Sequence, residues 1–70
     1  MNNKVAYIIC CINKFADRYG LSPKQSYAYL QRFRGVAFLD ECYEAEHQVS
    51  LEDAVEDLTA ICKRNGGQLG

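Results

Sequence analysis

The single histidine is the side chain of this sequence that comes nearest to a general base. His47 lies about one helical turn after Glu44, and a histidine beside a carboxylate can accept a proton in catalysis. No serine, threonine or cysteine stands at a spacing that would make it a nucleophile for this histidine, because Cys42 falls on an apolar stripe. We therefore predict a solvent-exposed His47 on a helix, no catalytic residues, and a protein that is not an enzyme.

Two adjacent pairs of acidic residues could serve as hydrolytic carboxylates or bind a divalent metal. These pairs are Glu52–Asp53 and Glu56–Asp57. Neither a metal-binding loop pattern nor a glycine-rich phosphate loop accompanies them. Ser50 precedes them as a helix N-cap, and acids in the first turns stabilise a helix through its dipole. We interpret them as the opening turns of a helix and predict neither metal nor cofactor.

Four cysteines could bind a metal or form disulfides; they are Cys10, Cys11, Cys42 and Cys62. There is no C-x-x-C motif, and adjacent residues of a helix project about 100° apart. A zinc site can be drawn from Cys10 or Cys11 with Cys42, Cys62 and His47, but its spacing is unlike that of known zinc sites. We expect small, buried thiols that stay free in a reducing, cytoplasmic compartment.

The length of 70 residues allows one domain, which we place at residues 1–67, with a frayed tail at 68–70. A core of this size gives marginal stability, and such chains often add a partner subunit. Residues 5–12 form an apolar run, but spanning a bilayer takes about 20 residues. The apolar periodicity continues to Phe15 and Tyr19, so we predict a core helix rather than a signal peptide or membrane span.

Apolar residues recur at intervals of three and four through four segments, which predicts four amphipathic helices. The first covers 4–19 and ends at Gly20. The second begins after the N-cap Ser22, with Pro23 at the first helical position and Gln25 completing a capping box, and runs to 33 or 34. The third covers 37–48, either separate or joined to the second by a bend at Gly35. The fourth covers 51–64 and ends at 65–67.

The four segments and the lack of strand-like alternation predict an all-α fold. The short links favour a small four-helix bundle or two packed αα-hairpins, with consecutive helices roughly antiparallel. We predict a hydrophobic core that includes Ile8, Ile12, Phe15, Leu30, Phe33, Phe38, Leu58 and Ile61.

Charge is divided between the two halves of the chain. Residues 1–34 hold six basic residues and one acid, a net charge of +5, whereas 35–70 hold two basic residues and eight acids, a net charge of −6. The halves could simply be the solvated faces of the helices. Alternatively, one charged face meets a partner, or a second copy, of opposite charge, which raises the association rate and fixes orientation.

Four stretches of the sequence carry a resemblance to a known family. They are K-V-A-Y-I-I, L-S-P-K-Q-S-Y-A-Y-L-Q-R-F-R-G, F-L-D-E-C-Y-E-A-E-H and S-L-E-D-A-V-E-D-L-T-A-I-C-K-R-N-G-G. Together, over residues 4–67, they resemble a family of short bacterial proteins, domain of unknown function 3791. The resemblance implies a bacterial, intracellular, helical protein. Members of such families often lie beside toxin-like genes, which implies an antitoxin-like or adaptor role. It supplies no catalytic or binding residue.

A nucleic-acid-binding reading rests on residues 15–34, which have the outline of a helix-turn-helix with basic residues on its second helix. Two observations weigh against it. Ser26 stands where that motif expects a branched core residue, and the pI of about 5.7 is low for a DNA-binding domain of this size.

Three functions therefore stay open, in descending order. The first is a non-enzymatic protein-interaction module whose candidate partner-binding residues are Glu52, Asp53, Glu56 and Asp57. The second is a nucleic-acid-binding regulator that uses Lys24, Arg32 and Arg34. The third is a structural homodimer with an aromatic interface, since a partner subunit can complete a small core. No small-molecule substrate is inferred.

Overall fold

The computed structural model describes residues 3–69, and over these residues the chain forms a small all-α bundle without a strand, as predicted. Its helices are α1 (Asn3–Tyr19), α2 (Pro23–Arg32), α3 (Gly35–Glu41), α4 (Tyr43–Glu46) and α5 (Leu51–Arg64). No helix of this described part is long and apolar enough to cross a membrane. Residues 1, 2 and 70, which belong to the predicted domain and tail, lie outside the described residues.

The ends of the long helices confirm the predicted caps. Gly20 ends α1 with φ of 65°, where glycine avoids the steric cost of the left-handed region. The N–H of Gln25 donates to Ser22 Oγ (3.1 Å), and the Ser22 N–H donates to Gln25 Oε1 (2.9 Å), which is a complete capping box. Ser50 Oγ accepts from the N–H of Asp53 (3.1 Å) at the start of α5.

The predicted third helix over 37–48 is wrong in both extent and continuity. The chain turns at Arg34, a left-handed residue with φ of 70°, and α3 starts at once with the buried Gly35. A Cβ atom at Gly35 would lie 2.8 Å from Leu30 Cδ2 and 3.2 Å from Cys62 Sγ. Glycine therefore allows α3 to pack closely on α2 and α5. The helix then breaks at Cys42 (φ −106°, ψ 20°), and α4 ends at Glu46.

The first two helices form the predicted antiparallel hairpin. The N–H of Leu21 donates to the Ala16 carbonyl oxygen (2.9 Å) at the turn. Further from the turn, the buried Ser26 hydroxyl donates to the carbonyl oxygen of Ile12 (2.7 Å). The residue that the helix-turn-helix reading found out of place is thus a hydrogen-bonded core residue.

In contrast, α1 and α5 run in the same direction. Their contacts advance together along both helices: Lys14 with Glu52, Arg18 with Glu56, and Tyr19 with Thr59. The hydroxyl groups of the last pair are 2.7 Å apart. The segment that contains α3 and α4 therefore returns the chain to the starting end of α1 before α5 begins.

The core contains only part of the predicted set. Ile12, Phe15, Leu30 and Leu58 are buried, whereas Ile8, Phe33 and Phe38 are half-buried and pack against them. Ile61 is also half-buried. The core residues missing from the prediction are Leu39, Cys11, Ala54, Val55 and Cys62. The expectation that all four cysteines are buried is wrong, because Cys10 is exposed and Cys42 is half-buried; all four are free thiols.

A cluster of aromatic rings joins the hairpin to the chain end. Phe15 lies 4.7 Å from Tyr19 and 5.7 Å from Tyr29, measured between ring centroids. The Tyr29 hydroxyl accepts a hydrogen bond from the Leu69 N–H (3.1 Å), and Leu69 packs against the core. A Cβ atom at Gly67 would overlap this hydroxyl. Residues 68 and 69 are thus docked on Tyr29, which differs from the frayed tail we expected.

The close packing at Gly35 gives the first testable prediction. We expect Gly35→Ala to lower the free energy of unfolding by about 1–2 kcal/mol, because the new methyl group must displace the buried Leu30 side chain. Urea denaturation followed by circular dichroism measures this change. In the control Gly20→Ala, the methyl group meets no atom within 4 Å, so only the cost of the left-handed backbone remains, about 1 kcal/mol. An unchanged midpoint for Gly35→Ala would contradict this packing.

Candidate interaction surface on α4 and α5

The structure divides the four predicted partner-binding acids into two flanks of α5. Glu52 and Glu56 face α1, where Lys14 Nζ and Arg18 Nη2 lie 3.9 and 3.4 Å from their carboxylate oxygens. These ion pairs are exposed, so each contributes less than about 1 kcal/mol to stability. They do neutralise much of the charge that this flank would present to a partner.

Asp53 and Asp57 lie one turn apart on the other flank, rotated by about 100° from Glu52 and Glu56. Both are exposed, and no lysine or arginine among residues 3–69 forms a salt bridge with either. Like charges one turn apart on a helix repel each other slightly. This flank therefore keeps its full negative charge at the surface.

A third carboxyl group joins this flank from α4, and the sequence analysis did not single it out. Glu46 is only 8% exposed, and no donor among the described residues bonds to its Oε1 atom. Its carboxyl group lies within hydrogen-bonding reach of that of Asp57. Burial, followed by the neighbouring Asp57 charge, raises the pKa of Glu46 to about 7. At lower pH the folded protein therefore holds a proton on this acid pair.

Residues of α1 hold α4 in this position. The Tyr7 hydroxyl donates a 2.8 Å hydrogen bond to the backbone oxygen of Glu46, and its ring packs edge-on against Tyr43, with centroids 5.6 Å apart. Tyr7 also hydrogen-bonds the Cys11 thiol, and burial raises the pKa of both side chains above their ordinary values. Both groups are thus neutral at physiological pH and supply no positive charge to Glu46.

A signal for Glu46 was present in the sequence. Leu39, Cys42, Glu46 and Val49 follow one another at intervals of three, four and three, the spacing of a buried helix face. An acid inside such a stripe indicates a carboxyl group turned inward. We had placed Ala45 in the stripe instead, one residue too early.

The candidate nucleic-acid-binding residues lie on a different part of the surface. Lys24, Arg32 and Arg34 are all exposed and make no salt bridge within residues 3–69. The guanidinium carbon of Arg32 lies 5.3 Å from the ring centroid of Phe33. Of the aromatic residues nearby, Tyr27 is exposed, whereas Tyr29 and Phe33 pack on each other and on the core.

The residues first considered for catalysis are placed apart from any reactive arrangement. His47 is exposed as predicted; its Nδ1 lies 2.7 Å from the Tyr43 carbonyl oxygen and its ring stacks on that of Tyr43. Burial raises the pKa of the Cys62 thiol to about 11, so it stays protonated and weakly nucleophilic. Within the described chain, no three His, Cys, Asp or Glu residues are grouped so as to hold a metal ion.

Comparison with known proteins assigns the chain to a family. The model of the family described as "Protein of unknown function (DUF3791)" matches residues 6–65. The chain therefore belongs to this family, as the resemblance of its sequence predicted. No curated protein and no solved structure matches it.

The ionisation of Glu46 gives the second prediction. Its pKa rises from the ordinary 4.5 to about 7 on folding, so the folded state binds more protons than the unfolded state in this interval. The free energy of unfolding should therefore fall as the pH rises from about 4.5 to about 7, by ~3 kcal/mol at most. We expect Glu46→Gln to remove this fall and to be more stable than the natural chain at about pH 8.

Urea denaturation at a series of pH values measures both effects. The control is Glu44→Gln, which removes an exposed carboxylate from the same short helix and should keep the fall in stability. If Glu46→Gln followed the pH profile of the natural chain, Glu46 would not be the titrating group.

Proposed function

We propose that this protein is a non-enzymatic protein-interaction module, antitoxin-like or an adaptor, which binds a basic partner protein through the Asp53–Asp57 flank of α5. The observation that carries the proposal is the charge left over after the chain has paired its own residues. Three ion pairs join the two halves, namely Lys4–Asp40 (2.7 Å), Lys14–Glu52 and Arg18–Glu56. Asp53 and Asp57 stay outside this pairing.

This refines the interaction residues predicted from the sequence. Glu52 and Glu56 already have a cation beside them, so a partner gains less from contacting them. Asp53 and Asp57 offer unneutralised charge on a rigid, capped helix, and such a surface attracts a partner of opposite potential and orients it. The proposal places the module in the reducing cytoplasm of a bacterium, where its free cysteines would persist.

Charge removal on the two flanks gives the third prediction. We expect Asp53→Asn/Asp57→Asn to reduce capture of the partner at least about tenfold in a pull-down from native lysate, because the loss of two unscreened charges weakens long-range attraction. Glu52→Gln/Glu56→Gln is the matched control, since it removes the same charge from the same helix but from the paired flank. Capture should survive nuclease treatment, and circular dichroism should show that both variants keep their helicity.

Equal capture by the two double variants would reject the proposed contact surface. A captured protein of the same mass as the bait would instead point to self-association, and light scattering of the purified chain decides this. Val5 and Ile9, about half exposed and one turn apart on α1, are the apolar residues that would support such a homodimer.

Nucleic-acid binding is the second candidate, and the unpaired state of Lys24, Arg32 and Arg34 is the observation that favours it. In that case the chain should bind duplex DNA with an affinity that falls steeply with salt, because bound cations release counterions from the phosphates. The triple variant Lys24→Gln/Arg32→Gln/Arg34→Gln should lose binding and reduce the salt dependence. Fluorescence anisotropy at two salt concentrations measures this, and absence of binding at low salt eliminates the candidate.

A further inference from the structure

The acid pair of Glu46 and Asp57 has no counter-ion of its own. Asp57 is exposed and reachable, whereas Glu46 is almost fully buried with its Oε1 lacking a donor. An unpaired buried polar atom costs free energy, and an ionised buried carboxyl group costs more. Native structures seldom keep such a group unless something outside the isolated chain satisfies it.

The groups that face Glu46 show that the protein itself does not supply the missing charge. From α1 it meets the phenol of Tyr7 and the thiol of Cys11, and from α5 it meets the carboxyl group of Asp57. The nearest residues of its own segment are Tyr43 and His47, and His47 is directed to the Tyr43 carbonyl oxygen. Two of these groups are neutral and one is an acid, so a cation must come from elsewhere.

The chemistry of the site narrows the kind of cation. No metal-binding group of three His, Cys, Asp or Glu residues exists among residues 3–69. Two carboxyl groups in close contact match instead the planar guanidinium of arginine, whose five N–H donors can bond to both. A lysine ammonium group is a compact point charge that is more strongly hydrated, and it loses more on entering a half-buried site.

We propose that the Glu46–Asp57 pair is the receptor site for an arginine side chain of the partner protein, and that binding releases a proton. This rests on the proposed function, of which it specifies the partner's contact group. Before binding, the proton is shared by the two carboxyl groups. The guanidinium replaces it: two hydrogen bonds form to the carboxylates, and the proton passes to the solvent.

Release of a proton makes the affinity depend on pH in a defined direction. Below about pH 7 the arginine must displace a bound proton, so affinity falls as the pH falls, by at most about tenfold per pH unit for a single proton. Above that range Glu46 is already ionised, and affinity becomes independent of pH.

The test uses the full chain and acetyl-tetra-arginine amide as the probe. Isothermal titration calorimetry at about pH 6, in two buffers of different ionisation enthalpy, should show release approaching one proton, and release near zero at about pH 8.5. Glu46→Gln should abolish proton release and weaken binding about tenfold, whereas Glu52→Gln/Glu56→Gln should keep both properties. Tetra-lysine should bind several-fold more weakly than tetra-arginine.

The proposal is overturned if tetra-arginine does not bind at low salt, if tetra-lysine binds equally well, or if Glu46→Gln still releases a proton. These outcomes are separable from failure of the proposed function. A partner that depends on Asp53 and Asp57 but binds without proton release would leave the interaction module standing and remove the arginine site. Probe binding with proton release, together with no captured protein, would do the reverse.

Discussion

The parallel register between α1 and the second half of the chain is the constraint on which the rest of the structure depends. One side of α1 contacts residues 40–59 in sequence order: Lys4 with Asp40, Tyr7 with Glu46, Lys14 with Glu52, Arg18 with Glu56, and Tyr19 with Thr59. Each exposed ion pair is weak. Aligned along one helix, however, they specify a single register, because a shift by one turn would leave these partners unmatched. The division of charge between the halves is thus first an internal device.

The burial of Glu46 follows from this register. Parallel helices require a crossing connection, and here the chain makes it with two short helices that break at Cys42. Tyr7 fixes α4 by its hydrogen bond to a backbone oxygen, and this places the Glu46 side chain against α5 rather than in solvent. The location of an unsatisfied carboxyl group next to the one unpaired flank of α5 joins a stability cost to the surface that is left for a partner.

Local features were predictable from the sequence, and non-local ones were not. Caps, glycine terminators and the α1–α2 hairpin depend on residues a few positions apart, and the structure confirms them. The break at Cys42 was missed because the apolar spacing of 39, 42, 46 and 49 continues through it. Helical geometry alone separates Asp53 and Asp57 from the other two acids by about 100°. Which flank faces α1 depends on tertiary packing, and therefore so does which acids remain unpaired.

The placement of the two unpaired charges also bears on the kind of partner. The acidic flank lies on α4 and α5, whereas the unpaired basic residues Lys24, Arg32 and Arg34 lie on α2 and the turn after it. A second copy that joined its basic surface to this acidic flank would form a head-to-tail contact, which continues into a ring or an open filament. A single complex of defined stoichiometry is more simply made with a different protein that presents only the basic surface. The internal pairing along α1 then has a further effect, because it confines the negative charge offered to that protein to one flank of one helix.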